Sequence, residues 1–177
     1  MRRSTKYLLM GFSAGTAAAL GAVYGLVARP RHLTWGSTHD ELTRAMPFDE
    51  VVRGPNFVAT RAITIAAPPA QVWPFLIDTA RLPRGTGIAH TDEPSLVLFI
   101  PNEPHAEATW VVTLEPCAEG TRLVSRNRAR FRGGLPAIAR YLAVDPGQFL
   151  FERQWLLDVR TRSENQVQVA ELVPQVP

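Results

Sequence analysis

The chain of 177 residues contains a single cysteine, Cys117. One cysteine excludes an intramolecular disulfide framework and a multi-cysteine zinc site. The histidines show neither HxxxH nor HExxH spacing, and no glycine-rich phosphate loop is present. No nucleophile has a base beside it in a recognisable motif. The sequence therefore predicts no metal site, no cofactor and no catalytic residue.

Charged residues are also sparse, at 20% of the chain against 46% hydrophobic residues, which excludes a disordered protein. The net charge of +3 comes from the N-terminus, which holds five of the 19 basic residues and no acid before residue 32. Residues 32–177 keep 14 basic against 16 acidic residues, a net charge of −2. A nucleic-acid partner is disfavoured, because such domains carry their positive excess in the folded part.

The longest uncharged run covers residues 7–28 and follows a basic N-terminus, residues 1–6. As a helix, this run would be about 33 Å long, enough for a hydrocarbon core of about 30 Å. We predict a single transmembrane helix over residues 7–28, with Arg29-Pro30 as its stop. A cleaved signal peptide is the alternative, although the run exceeds the usual apolar length of such peptides. The basic flank favours a cytoplasmic N-terminus in a single-pass protein of the cell membrane.

The remainder divides into a juxtamembrane connector, residues 29–56, a globular domain, residues 57–165, and a flexible tail, residues 166–177. Within the connector, a capping box ending at Glu41 predicts a short helix over residues 39–46.

Period-two alternation predicts four strands in the domain. They cover residues 58–66, 95–100, 106–115 and 121–131. Helices are predicted over residues 67–78 and 149–165, and residues 79–93 are expected to form a loop. The pattern indicates an α+β fold with an antiparallel sheet covered on one face only.

This order of elements resembles the START-like (SRPBCC) superfamily of polyketide cyclases and lipid-transfer domains. The motifs that carry the resemblance are Trp35-Gly36-Ser37-Thr38 with Asp40-Glu41, Thr60 to Ile65 with Ala67-Pro68-Pro69 and Val72-Trp73-Pro74, Thr121 to Arg126, and the helix from Phe149 to Glu164. Together they cover about residues 33–165. The resemblance implies a helix-grip fold, in which a curved antiparallel sheet packs on a C-terminal helix around an apolar cavity.

Members of the superfamily usually have a second helix and two more strands where this chain has only residues 79–94. The expected sheet is therefore short, with bare edges. Bare edges favour pairing, so a homodimer or contact with the membrane is predicted to cover them.

One face of the predicted sheet would line such a cavity. The candidate ligand-binding residues on this face are Trp110, Val112, Leu123, Ser125, Asn127 and Phe131. Small polar groups at Ser125 and Asn127 suit a pocket that orients a mostly apolar ligand. Hydrogen bonding near a sheet end explains them equally well.

The opposite face carries an arginine row: Arg122, Arg126, Arg128, Arg130 and Arg132. Contact with anionic lipid headgroups is one explanation of this row. The other is a solvated strand face balanced by Glu107 and Glu115 on a neighbouring strand.

These observations favour a membrane-anchored START-like domain that binds a hydrophobic small molecule or lipid without catalysis. An enzymatic alternative, a polyketide cyclase or dehydratase, predicts that His90 or Glu107 faces the cavity. A third hypothesis is a membrane-tethered interaction module that has lost its pocket, and a closed interior filled with side chains would favour it.

Overall fold

The computed structural model of the protein describes residues 21, 23–82, 85–101 and 106–172. A π-helical turn, Tyr24–Ala28, runs directly into α1, Arg29–Leu33, and the two are called the N-terminal helix below. The other helices are α2, His39–Thr43, α3, Pro69–Leu76, and α4, Gly134–Leu172, with a short 3₁₀ turn at Thr79–Arg81.

Five strands form one antiparallel sheet. They are β1, Phe57–Ile65, β2, Thr86–Asp92, β3, Leu96–Pro101, β4, Ala106–Cys117, and β5, Gly120–Phe131. Their order across the sheet is β1-β5-β4-β3-β2, so β1 and β2 are the edges. The long C-terminal helix α4 packs on this sheet, which confirms the α+β class and the helix-grip arrangement.

The expectation of a loop over residues 79–93 is wrong, because β2 occupies most of this segment. Most side chains of β2 are exposed, so the strand lacks the alternating burial that identifies strands in a sequence. Its pairing with β3 also shifts register between Ile88 and His90. One of the two strands expected to be missing is therefore present.

The β4–β5 hairpin is longer and tighter than predicted, since its last pair joins Cys117 to Gly120. Gly120 has φ +125°, and an added Cβ would lie 2.3 Å from the carbonyl oxygen of Ile65. Only glycine fits this close approach of the hairpin to the end of β1.

Helix α4 is also longer than the predicted helix over residues 149–165. It begins at Gly134, continues through Pro146 and ends at Leu172, so most of the predicted tail is helical. Val167 packs against the main core, which explains why the helix continues beyond residue 165.

The predicted membrane span lies mostly outside the described residues. Where the chain is described, Arg29-Pro30 does not stop the helix, because α1 continues to Leu33. Pro30 lies in the first turn of α1, where its missing N–H removes no α-helical hydrogen bond. Among the helices of the described part, none is long and apolar enough to cross a membrane.

The inner face of the sheet packs against α3 and α4 and holds the main core. Its centre is aromatic: the ring centroid of Trp110 lies 4.7 Å from that of Phe99 and 4.9 Å from that of Trp155. Leu123 and Val112 surround these rings and are fully buried. The apolar face predicted from the alternation of β4 and β5 is therefore the inner face.

The outer face is not open, which corrects the expectation of a sheet covered on one face only. The connector crosses it, and Met46 and Phe48 pack against Leu98, Val111 and Val124. The predicted capping box is present at Thr38 and Glu41, although α2 ends at Thr43 rather than at residue 46.

Both explanations of the arginine row fail for Arg122 and Arg126, because these side chains hold the connector in place. Arg126 is only 3% exposed and donates to Asp49 and to the carbonyl oxygens of Glu41 and Arg44. Arg122 donates to both carboxylate oxygens of Glu41, at 2.7 and 2.8 Å.

Among the described residues, Arg132, the last residue of the arginine row, forms no ion pair with the connector, and the two expected acidic partners of the row bind different residues. Arg132 is exposed and pairs with Glu107, as the solvated-face explanation expects. Glu115, the other expected partner, binds Arg44 of the connector instead, at 3.0 and 2.6 Å.

Removing the carboxylate of Glu41 tests this attachment of the connector. Hydrogen bonds from Arg122 lower the pKa of Glu41 to about 2. A lowered pKa means that the ionised group stabilises the fold above its unfolded pKa of 4.5 and that this gain is lost as the pH falls towards 2. We expect Glu41→Gln to lower the free energy of unfolding at neutral pH by about 2 to 3 kcal/mol.

The measurement is urea unfolding at a series of pH values. The deficit of Glu41→Gln relative to wild type should shrink as the pH falls from 4.5 towards 2. Glu50→Gln, at an exposed acid of the same connector, is the matched control and should follow the wild type. A deficit that does not change with pH would contradict the proposed attachment.

Candidate functional site

A buried ion pair joins the sheet to α4 on the inner face. Arg61 of β1 and Glu152 of α4 are 1% and 3% exposed, and Arg61 Nη1 donates to Glu152 Oε2. Arg61 shares the inner face of β1 with Ile63 and Ile65, so the strand directs its charge into the core. A charge in such surroundings requires a partner, and Glu152 provides it.

The carboxylate of Glu152 also accepts hydrogen bonds from two side chains of β5. Ser125 Oγ donates to Oε1 at 2.7 Å, and Asn127 Nδ2 donates to Oε2 at 2.8 Å. Trp110 Nε1 donates in turn to Ser125 Oγ at 2.8 Å. The two polar residues that the sequence places on the apolar face are therefore held by a buried carboxylate.

Burial raises the pKa of the Glu152 carboxyl above its usual range, although Arg61 and the hydrogen bonds from Ser125 and Asn127 act in the opposite direction. A carboxyl in this environment binds a proton more tightly than one in water. All the side chains of this group are buried, and we call it the Glu152 network: Arg61, Trp110, Ser125, Asn127 and Glu152.

Arg61 connects the Glu152 network to the N-terminal helix. Its Nε donates to the carbonyl oxygen of His32 at 2.8 Å, and its guanidinium carbon lies 5.4 Å from the ring centroid of Phe149. The His32 ring stacks on Phe149 with centroids 4.2 Å apart.

A small cavity lies beside the network, at the end of the sheet. Its volume is about 30 Å³, and it is lined by Phe57, Pro101, Ala108, Thr109, Asn127, Arg128, Ala129, Phe131 and Gln148. A volume of this size holds about one water molecule. The walls are mostly apolar, and the side chains of Asn127 and Gln148 supply amide groups.

The six predicted ligand-binding residues fall into two groups. Asn127 and Phe131 line the cavity. The other four lie in the packed interior behind it: Trp110, Val112, Leu123 and Ser125.

Sequence reasoning did not identify Arg61 and Glu152. A signal for both was available, since each is a charged residue at a position that strand or helix periodicity assigns to an apolar face. Charged residues are rarely buried without a partner, so one on each apolar face predicts a pair.

The residues proposed for an enzymatic role do not line this cavity. His90 is exposed on β2, and its ring contacts Phe48 of the connector at a centroid distance of 5.2 Å. Glu107 is exposed and binds Arg132. Within the described ranges, no group of three or more potential metal-ligating side chains occurs.

A second, open groove of about 450 Å³ follows the edge of β1. It is lined by Trp35, Gly36, Ala62, Ile63, Thr64, Ala66, Glu119, Arg122, Arg160 and Glu164. Part of this strand edge is already satisfied, because Ala62 N–H donates to the carbonyl oxygen of Trp35 and Ala66 N–H donates to Glu164. The β1 edge is therefore less bare than the sequence indicates.

No family model and no curated protein matches the sequence. Several solved structures are similar in fold. Protein MLL2253 from Mesorhizobium loti is 14% identical with a TM-score of 0.45, covering 60% of this chain and 98% of that one. The Polyketide_cyc-like protein Cgl2372 from Corynebacterium glutamicum is 13% identical with a TM-score of 0.41, covering 68% and 96%. ChR145 from Cytophaga hutchinsonii is 14% identical with a TM-score of 0.45, covering 64% and 98%. Likeness at this level does not bear on function.

A double-mutant cycle tests the buried pair. Arg61→Leu and Glu152→Leu each leave an uncompensated buried charge, so each should lower the free energy of unfolding by about 3 to 5 kcal/mol. The double variant removes both charges and should be clearly more stable than the sum of the two single effects predicts.

Urea unfolding of the four proteins gives the coupling energy. The control cycle uses the exposed pair Arg132 and Glu107, where changes of about 0 to 1 kcal/mol are expected. Additive effects at Arg61 and Glu152 would show that the pair contributes no coupling.

Proposed function

We propose that this domain binds a small, mostly apolar ligand at the end of the sheet and performs no reaction on it. The observation that carries the proposal is the cavity between Phe57, Phe131 and Asn127, directly beside the Glu152 network. Apolar walls with a few fixed polar groups are typical of small-molecule sites.

The ligand's apolar part would lie between Phe57, Ala108 and Phe131, with its polar end towards Asn127 and Gln148. Asn127 is well suited to orient a polar group, because its amide nitrogen is held by Glu152. The volume of about 30 Å³ admits little more than one water, so a lipid-sized ligand must displace part of the wall.

We further propose that residues 7–28 include a membrane anchor and that the ligand is a lipid or a similar amphiphile. Support comes from the uncharged run itself. Tyr24 contacts the folded domain through Asp145, so the anchor should end before Tyr24. Residues 7–23 would span about 25 Å as a helix, near the lower limit for a bilayer.

A second candidate function is a membrane-tethered interaction module, in line with the packing of Phe99, Trp110 and Trp155 at the centre of the inner face. The mostly exposed edge strand β2 would then be a contact surface, for a second copy among other partners.

Native mass spectrometry of the full chain, released from detergent micelles, separates the two candidates. The ligand hypothesis expects a stoichiometric apolar adduct, identified after organic extraction. A protein species that carries no adduct and binds none of the added lipids would overturn this hypothesis. Its mass, monomer or dimer, would then show whether the chain pairs with itself.

Filling the cavity tests its position. Ala108→Leu adds three carbon atoms to a wall of a cavity of about 30 Å³, so we expect the adduct to be lost. Ala118→Leu makes the same change at an exposed turn residue and should keep the adduct.

Circular dichroism must show that both variants fold, because overpacking destabilises a protein by about 1 to 3 kcal/mol. An adduct retained by folded Ala108→Leu would show that the ligand binds elsewhere.

A further inference from the structure

The N-terminal helix is hydrogen-bonded to a buried carboxylate of α4, that of Asp145. Tyr24 Oη and Arg29 Nε both donate to Asp145 Oδ2, each at 3.1 Å. Asp145 is fully buried, whereas Arg29 keeps part of its side chain in solvent. A single residue of α4 therefore receives two hydrogen bonds from successive turns of this helix.

The same helix contacts residues of the proposed ligand site. Leu33 packs against the apolar cluster of Phe57, Ala59 and Ala129, and Phe57 and Ala129 are walls of the cavity. One residue earlier, His32 stacks on Phe149 and accepts the hydrogen bond from Arg61. The N-terminal helix thus contacts the cavity wall and the Glu152 network together.

The closed arrangement is incompletely satisfied. Asp145 Oδ1, His32 Nδ1 and Arg61 Nη2 are buried without a hydrogen-bond partner among the described residues. Each such atom opposes closure, because it loses water and gains no partner. The helix also contains a π-helical turn, a rare conformation that occurs frequently at functional sites. Leu26 on this turn is 79% exposed, so the turn is held on one side only.

We infer that the N-terminal helix is the gate of the ligand site and that Asp145 is its latch. Release of Tyr24 and Arg29 from Asp145 withdraws Leu33 from the cavity wall and provides the space that a lipid-sized ligand needs. The gate follows directly on the proposed membrane anchor, so it opens the site to ligands that leave or enter the bilayer. This inference rests on the proposed ligand-binding function.

The test uses the full chain reconstituted in phosphatidylcholine nanodiscs, with a dansylated fatty acid as the probe. Stopped-flow fluorescence measures the release rate of the probe to acceptor vesicles, and a titration gives its Kd. Asp145→Asn and Arg29→Gln weaken the latch from its two sides. Asp158→Asn is the matched control, because it makes the same change at a partly exposed ion pair further along α4.

We expect both latch variants to load the probe about tenfold faster, measured by the same stopped-flow method, and to bind it with a Kd about tenfold lower, the factor that ~1.4 kcal/mol gives. The reason is that the latch stabilises the closed state, which the probe must displace, whereas the probe leaves from the open state in every variant, so its release rate should change little. Amide hydrogen exchange of residues 24–33 should also become faster. Asp158→Asn should leave the rates and the exchange as in wild type.

Loading rates and Kd values that match wild type in both latch variants overturn the gate, whether or not amide exchange becomes faster. In that case binding of the probe still supports the ligand site. If the wild type binds neither this probe nor a co-purifying lipid, the proposed function fails and the gate fails with it. If Asp145→Asn does not fold, Arg29→Gln decides the outcome, since Arg29 is partly in solvent.

Discussion

The ion pair of Arg61 and Glu152 is the contact on which the inner side of the molecule depends. Neither charge can remain in the core without the other, so α4 must sit at the one position where Glu152 meets β1. The neighbouring polar groups are arranged around the same carboxylate, with Ser125 and Asn127 on one side. The carbonyl oxygen of His32 accepts a hydrogen bond from Arg61 Nε. One electrostatic constraint thus positions three elements: the sheet, α4 and the N-terminal helix.

The outer face is organised in the same way, with arginines on the sheet and carboxylates on the segment that packs against it. Arg122 and Arg126 are placed by β5 against an apolar surface, and the connector supplies the acceptors through Glu41 and Asp49. Met46 fills the apolar area between these contacts. The connector is therefore part of the folded unit, and the sheet is protected on both faces although it has only five strands.

Most of this architecture could be predicted where side chains alternate in burial, as they do around Trp110, Val112 and Leu123. Strand β2 could not, because five of its seven side chains are exposed and its sequence has no run of alternating apolar residues. Only some residues of the candidate site could be predicted from the sequence. Asn127 and Phe131 follow from strand parity, but the position of Glu152 depends on a contact with β1 across the core. Likewise, nothing in an uncharged run distinguishes Tyr24, which binds Asp145, from its apolar neighbours.

The small sheet also explains where a ligand could bind. With few strands to enclose a volume, the rings of Phe99, Trp110 and Trp155 fill the centre of the inner face. The small cavity lies beyond Asn127, at the end of the sheet, and Leu33 packs on the apolar cluster that contains two of its wall residues, Phe57 and Ala129. In the proposed gate this helix moves when something larger than water enters, because its contacts and the ligand's contacts use the same wall. The shortened sheet therefore couples the position of the N-terminal helix to the occupancy of the site, and any force on that helix from a membrane anchor would act directly on binding.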